Sequence, residues 1–404
     1  MIHPFRALRY DVARLGARWS DLVTQPYDKI SPALKARYEA AHPNNVVRLI
    51  RGESGPEDRS WHPQAGRRLR EWIDSGVLRL DEAPGYSVYR QTFRLPDGRE
   101  LTRTAVTGVF EMARRDRVRH HERTHASARV DRLHLLEATE AHFGQIFLLR
   151  HRGPAFESRW LDRAGPAAEL VEDDGTRHAF APLSDPEAVA ALGAIFAESE
   201  YVIADGHHRF TVAGQYAESA GHPGAGYALV TCVDLEDPGL VVLPTHRTLR
   251  GLDADRGAAL DARLAAAGAK PFAGDAEALR RAVTKAGAGT VGVARPQGLF
   301  LWTIDKGARE GLDALDVVDI AEVGIEPTLA GLEEEEHLGY RRDAGAALRD
   351  VAEGRADAAF ILEGIPPREV SDIAEAGGVM PPKSTDFYPK MLTGFAIYDT
   401  RVGV

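Results

Sequence analysis

The sequence predicts a mixed α/β to α+β fold, with mixed sheets and flanking helices, on three observations. The first is Tyr201-Val202-Ile203-Ala204-Asp205-Gly206-His207-His208-Arg209-Phe210, an apolar run followed by a tight Asp-Gly turn. After the turn, Phe210, Ala213, Ala217 and Ala220 recur at helical spacing. The second is a hairpin pattern, Tyr86 to Phe93 and Leu101 to Phe110 around Pro96-Asp97-Gly98. The third is the alternation of short apolar runs with helical stretches along the chain, without an internal repeat.

Taken in order, Gln25-Pro26-Tyr27-Asp28 reads as a turn, and Asn44-Asn45 precedes Val46 to Ile50, a β-branched run expected to be a strand. Gln64 to Ser75 is helical, with Leu69, Trp72 and Ile73 on one face. A helix is expected over 128–143, burying Val130, Leu133, Leu136 and Phe143. Gln145 to Leu149 is a strand, and Pro186 to Glu198 is a helix leading into the strand before Asp205. Leu229 to Val233 and Leu240 to Leu243 follow as strands. The Ala- and Gly-rich stretch 251–290 reads as two helices. Further elements are expected at Leu315 to Ile320, a helix near 341–352 and a strand at Ala358 to Leu362. The acidic run Glu333 to Glu336 reads as a solvated helix start or loop.

With 404 residues the chain has room for two or three domains. Its 44% hydrophobic and 27% charged residues are those of an ordinary globular protein. A single cysteine excludes a disulfide framework, so the cytoplasm is the expected compartment. Cys232, inside an apolar run, is expected as a buried strand residue. Neither a signal-peptide core nor an 18-residue apolar span is visible, so no membrane association is expected. A net charge of −10 argues against a nucleic-acid surface but leaves room for a small anion site.

Such a site is expected at the Asp205 turn. A helix N-terminus carries partial positive charge and turns backbone N–H groups outward, and Arg209 adds a planar donor fork. A second cluster is Arg119-His120-His121-Glu122-Arg123-Thr124-His125. Its H-E-x-x-H spacing, on a helix, would hold zinc between His121 and His125 with Glu122 as base. The preceding residues give no buried helical face, and the metzincin continuation is absent. Cations around one carboxylate fit an anionic substrate better, with Glu122 as general base and His121 as acid or phosphate contact. A third cluster, Met380 to Lys390, offers Lys383, Ser384, Thr385 and Lys390 as anion donors; Pro382 stands where a P-loop needs glycine. A fourth, Leu243-Pro244-Thr245-His246-Arg247-Thr248, ends a strand with another His-Arg pair.

Together these pieces resemble the domain-of-unknown-function family one-thousand-and-fifteen, whose members often carry a ParB/Spo0J-like label. The resembling residues are Pro26-Tyr27-Asp28, His121 to Thr124 with Asp131-Arg132-Leu133, Ala204 to Arg209, Leu243 to Arg247, and Met380 to Lys390 followed by Gly394. The Asp-Gly-His-His-Arg box is also similar to the phosphate-binding box of the ParB and sulfiredoxin superfamily, which includes free-serine kinases. One departure is His125-Ala126-Ser127-Ala128-Arg129, where the family shows a Pro/Gly-containing loop.

The resemblance implies a ParB/sulfiredoxin-like core over 1–248 and a C-terminal α+β lobe over 249–404 whose loop 380–390 returns to the site. It implies phosphate contacts from Asp205, Gly206, His207, His208 and Arg209, and ATP or ADP with Mg2+ as cofactors. The leading functional expectation is a phosphotransferase or phosphohydrolase acting on a small polar metabolite of serine or phosphoserine type. In it Glu122, His207, His208 and Arg209 are catalytic; His121, Thr124, His246, Arg247, Lys383, Ser384, Thr385 and Lys390 bind substrate. The alternatives are a non-catalytic, nucleotide-responsive ParB-like binding protein and a zinc hydrolase using His121 and His125.

Overall fold

The computed structural model describes residues 1–52, 60–95, 98–122 and 126–404, with the side chains of residues 126–128 excepted. The fold is mixed α/β, with several sheets and flanking helices. It divides into two compact units. The first comprises residues 1–120, 124–240 and 389–404, and the second residues 121–123 and 241–388.

The first unit is built on a mixed sheet. In spatial order its strands are Val118–Arg119, Tyr201–Asp205, Ile146–Arg150, Tyr227–Asp234, Glu100–Glu111, Tyr86–Arg94, Arg177–Leu183 and Ala168–Val171. Tyr201–Asp205 runs parallel to Val118–Arg119 and antiparallel to Ile146–Arg150. Its burial pattern is continuous until Asp205, as expected of a strand covered on both faces. Ile146, Leu148, Ile203, Phe210, Val230 and Cys232 pack in one buried cluster, so strand and following helix share a core. Cys232 is fully buried and burial pushes its thiol up, which makes it a packing residue.

The hairpin is observed as Tyr86–Arg94 against Glu100–Glu111; Pro96 and Asp97 lie outside the described residues. The expected helices are found at Trp61–Asp74, Ala126–Thr139, Pro186–Ala197 and His207–Ser219.

Two expectations are corrected. Val47–Ile50 is a short helix and not a strand. Asn45 Oδ1 accepts from the Val47 N–H at 2.9 Å, so the side chain that precedes the run satisfies the first N–H of a helix. Val130 is 47% exposed, and Phe143 lies beyond the helix that ends at Thr139.

The second unit holds an antiparallel sheet ordered Lys270–Pro271, Gly298–Thr303, Thr290–Arg295, Ala358–Ile361, His246–Leu249 and Leu338–Arg341. Helices Ala276–Ala286 and Ala344–Ala352 cover it through Leu279, Ala347, Leu348 and Val351. Ala254–Ala266 is the other helix of the Ala-rich stretch. Asp316–Asp319 is helical and runs into a π-helical turn at Ile320–Ile325. Val241–Leu243 pairs with Asp386–Tyr388, and Glu122 bridges Met380, so residues from both ends of the unit meet the loop 380–388. Among the described residues, no helix is long and apolar enough to cross a membrane.

Candidate functional site

In the first unit the chemistry gathers at the Asp205 turn. Gly206 adopts φ +95°, a left-handed conformation that an L side chain rarely takes, and serves as N-cap of the helix His207–Ser219. A glycine cap has no side chain with which to bond the first-turn N–H groups, which by helix geometry have no carbonyl partner inside the helix. A Cβ on Gly206 would stand 3.0 Å from Arg209 Nη2, so the arginine folds back over the turn.

Arg209 Nη2 donates to Asp205 Oδ2 at 2.7 Å, and Nη1 donates to the Gln145 carbonyl. Lys390 Nζ donates to the other carboxylate oxygen, Oδ1, at 3.1 Å. Burial alone would raise the Asp205 carboxyl. The charges of Lys390 and Arg209, the Lys390 hydrogen bond and the charge of His207 outweigh it and hold the group well below its ordinary value. Asp205 is therefore an anion clasped by two cations. It does not cap the helix, whose N-cap is Gly206.

His207 is buried and His208 half-buried. The His207 ring lies 5.8 Å from that of His120, which meets Phe210 edge-on at 5.3 Å. Loss of hydration against these rings lowers the His120 pKa, although the residue keeps solvent-exposed surface.

A pocket opens beside Arg209, lined by Tyr27, Arg132, His142, Gly144 and Thr393 among apolar side chains. Arg132 stacks on Tyr27 at 4.3 Å and donates to Asp131, whose other oxygen meets His62 Nε2 at 3.0 Å. The Pro26-Tyr27-Asp28 and Asp131-Arg132 pieces of the sequence thus meet in one wall.

In the second unit, His121 Nε2 lies 3.1 Å from Thr385 Oγ1, and the His121 carbonyl accepts from Met380 N–H. Glu122 is extended and half-buried. Thr124 and His125 lie outside the described residues, so the far end of the H-E-x-x-H spacing is not placed. Its first two residues are in extended pairing, not in a helix. Among the described residues, no three or more His, Cys, Asp or Glu side chains gather as a metal would need.

Arg247 is buried; it donates to the Thr245 carbonyl and, at 3.4 Å, to the Lys383 carbonyl. Lys383 holds φ +58°, a left-handed backbone rare outside glycine, with its side chain exposed. The Ser384 hydroxyl donates to the Pro381 carbonyl at 2.7 Å. His246 Nδ1 accepts from the Leu362 N–H, and burial, with help from the Arg247 charge, lowers this histidine to about 4. His246 and Arg247 both hold backbone.

Asp205, Gly206, His207, His208, Arg209 and Lys390 thus belong to the first unit. His121, Glu122, His246, Arg247, Lys383, Ser384 and Thr385 belong to the second. Sequence reasoning treated Lys390 as a general anion donor and missed that it pairs with Asp205. Arg103 and Gln91 carry no local signal of burial, since their strands also hold Arg90, Thr92, Thr102 and Thr104.

Residues 2–318 match the model of a family described as "Protein of unknown function (DUF1015)", in agreement with the resemblance carried by the motifs. No protein with a curated description matches. Similar solved structures include a conserved hypothetical protein from Pyrococcus furiosus, 18% identical, covering 70% of this chain and 90% of its own, with a TM-score of 0.38. A free serine kinase in complex with AMP is also 18% identical, covering 70% of this chain and 86% of its own, TM-score 0.38. SbnI from Staphylococcus aureus is 9% identical, covering 73% and 88%, TM-score 0.39. At these TM-scores they stand as similarities alone.

Proposed function

The chain belongs to the DUF1015 family of proteins of unknown function, and we propose that this member transfers or hydrolyses a phosphoryl group on a small polar metabolite. A hydroxy-amino acid such as serine, or its phosphate ester, is the favoured substrate class. The observation that supports the reading is the helix start at Gly206: a glycine cap with no side chain to bond the first-turn N–H groups, and two cations balancing one carboxylate.

Phosphoryl transfer asks mainly for positioning and for stabilisation of charge on the phosphoryl oxygens. The helix N-terminus supplies dipole and donors, and the Asp205–Arg209–Lys390 group adds a net positive charge. His207 or His208 donates to developing charge or acts as a nucleophile. Glu122 is the candidate base, and His121, Thr124, His246, Arg247, Lys383, Ser384 and Thr385 are the candidate substrate contacts; for each the assignment is tested by substitution. His246 and Arg247 contact backbone, which makes Lys383 and Thr385 the better candidates in that group.

The phosphates of ATP or ADP fit the cradle by this donor chemistry. Mg2+ does not fit at Asp205, because both carboxylate oxygens already take a cation.

The test is an assay of phosphate release and nucleotide consumption over a panel of hydroxylated and phosphorylated small metabolites. At least one should turn over, and Arg209→Ala should lower its rate by roughly a hundredfold. Full activity in folded Arg209→Ala would show the site to be elsewhere. Stabilisation by nucleotide without any product would favour the binding-protein alternative.

A further inference from the structure

We propose that Arg103 and Gln91 are positioning residues that hold the Lys390 ammonium against Asp205. The geometry stands by itself; only its consequence for ligand binding rests on the phosphoryl reading of the turn.

Gln91 and Arg103 are direct cross-strand partners in the hairpin, and His178 faces Gln91 from the next strand. Three polar side chains therefore form a row across the sheet, flanked two residues away along their strands by Tyr89, Phe93, Leu101, Ala105 and Phe180. Arg103 has no exposed surface. Burying a guanidinium is costly, and burial draws this one down to about 10. An apolar residue would fill the same space at less cost, so the row calls for another explanation.

The contacts supply one. Arg103 Nη2 donates to Gln91 Oε1 and, at 2.5 Å, to the Pro389 carbonyl. Gln91 Nε2 donates to the Lys390 carbonyl at 2.9 Å. Two residues further, Leu392 N–H donates to the Tyr89 hydroxyl at 3.2 Å, and Gln145 Nε2 donates to the Leu392 carbonyl at 3.0 Å. The Tyr89 hydroxyl is itself held 2.7 Å from His178 Nδ1. A segment without regular structure is thus gripped along its backbone from Pro389 to Leu392, and the lysine it carries reaches Asp205. A carboxylate beside an anion site repels the ligand unless it is neutralised. The row keeps in place one of the two cations that neutralise it.

The experiment measures binding of inorganic phosphate by calorimetry in full-length Lys390→Met, Gln91→Leu, Arg103→Met and the combinations with Lys390→Met. Lys390→Met should weaken binding roughly tenfold, the scale of one charge-assisted contact. Gln91→Leu and Arg103→Met should each weaken it several-fold alone and not at all in the Lys390→Met background. A residue with only a structural role would add its loss in both backgrounds, and that additivity, or no loss in the single variants, overturns the proposal. Should Arg103→Met fail to fold, Gln91→Leu carries the test. If the unsubstituted protein binds no phosphate, the phosphoryl reading falls, and a crystal structure of Gln91→Leu then decides the positioning. Lys390 withdrawn from Asp205 supports it; Lys390 unmoved overturns it.

Discussion

Arg209 Nη2 lies 2.7 Å from Asp205 Oδ2, so the arginine that follows the turn is held by the carboxylate that precedes it. The ion pair closes one helical turn across Gly206. Its guanidinium is fixed over the turn before any ligand arrives, where its charge, with that of Lys390, outweighs the carboxylate. The same pair makes the turn sensitive to substitution of Asp205, Gly206 or Arg209.

Gly206→Ala should be the most damaging small substitution in the turn. The added methyl group meets the Arg209 guanidinium at 3.0–3.1 Å, and φ +95° is strained for alanine. A loss of about 1–3 kcal/mol is expected from the backbone alone. Denaturant unfolding measures it, and a loss below about 0.5 kcal/mol would mean that the turn relaxes freely.

Asp205→Asn tests the clasp through pH. The Asp205 carboxyl is depressed below its usual 3.8, so the unfolded chain takes up the proton first as pH falls. Its contribution is full above that value and fades as pH drops below it towards the folded-state pKa. The stability difference between the unsubstituted protein and Asp205→Asn should be flat from about pH 7 to 5 and shrink below about 4. A difference that grows on acidification would contradict the ion pairing.

Two buried histidines should govern the milder acid range. His142, stacked on Tyr398, and His246 are both lowered from 6.5 to about 4, mainly by burial. For a depressed histidine the unfolded state binds the proton first. Stability is therefore complete above 6.5 and declines as pH falls towards 4. Each group can account for up to about 3 kcal/mol across that window. His142→Phe should flatten the stability profile between those limits, and an unchanged slope would show that His142 opens to water before it titrates.

Lys383→Gly separates backbone from side chain in the loop 380–388. Glycine accepts φ +58° without strain, so fold stability should stay within about 1 kcal/mol. If Lys383 neutralises substrate charge, turnover should nonetheless fall while the Arg247 contact to its carbonyl persists. Unchanged turnover would remove Lys383 from the site residues.

The strand–turn–helix at 201–219 was legible because it is local: an apolar run, a glycine that only a left-handed turn explains, and a helical period. The hairpin and most helices were legible for the same reason. Val46 to Ile50 was not, since a short buried apolar run has the same pattern as helix or strand and the deciding bond comes from the Asn45 side chain. Val130 looked apolar enough for the core, yet nothing local says which face of its helix meets protein. The clasp on Asp205 was half legible. Arg209, four residues on, was noticed as an anion donor. That it spends itself on Asp205, and that Lys390 joins from 185 residues away, is tertiary information. The buried Arg103–Gln91 pair was hidden because an isolated polar residue in a strand reads as solvent-facing until its sheet is known to be covered.

The most direct measurement is a titration of isotope-labelled protein with inorganic phosphate, following backbone amide resonances. The account predicts saturable shifts at His207, His208 and Arg209 that vanish in Lys390→Met or weaken there about tenfold. Resonances at the start of that helix that stay unmoved at saturating phosphate, or shifts confined to other parts of the chain, would contradict it.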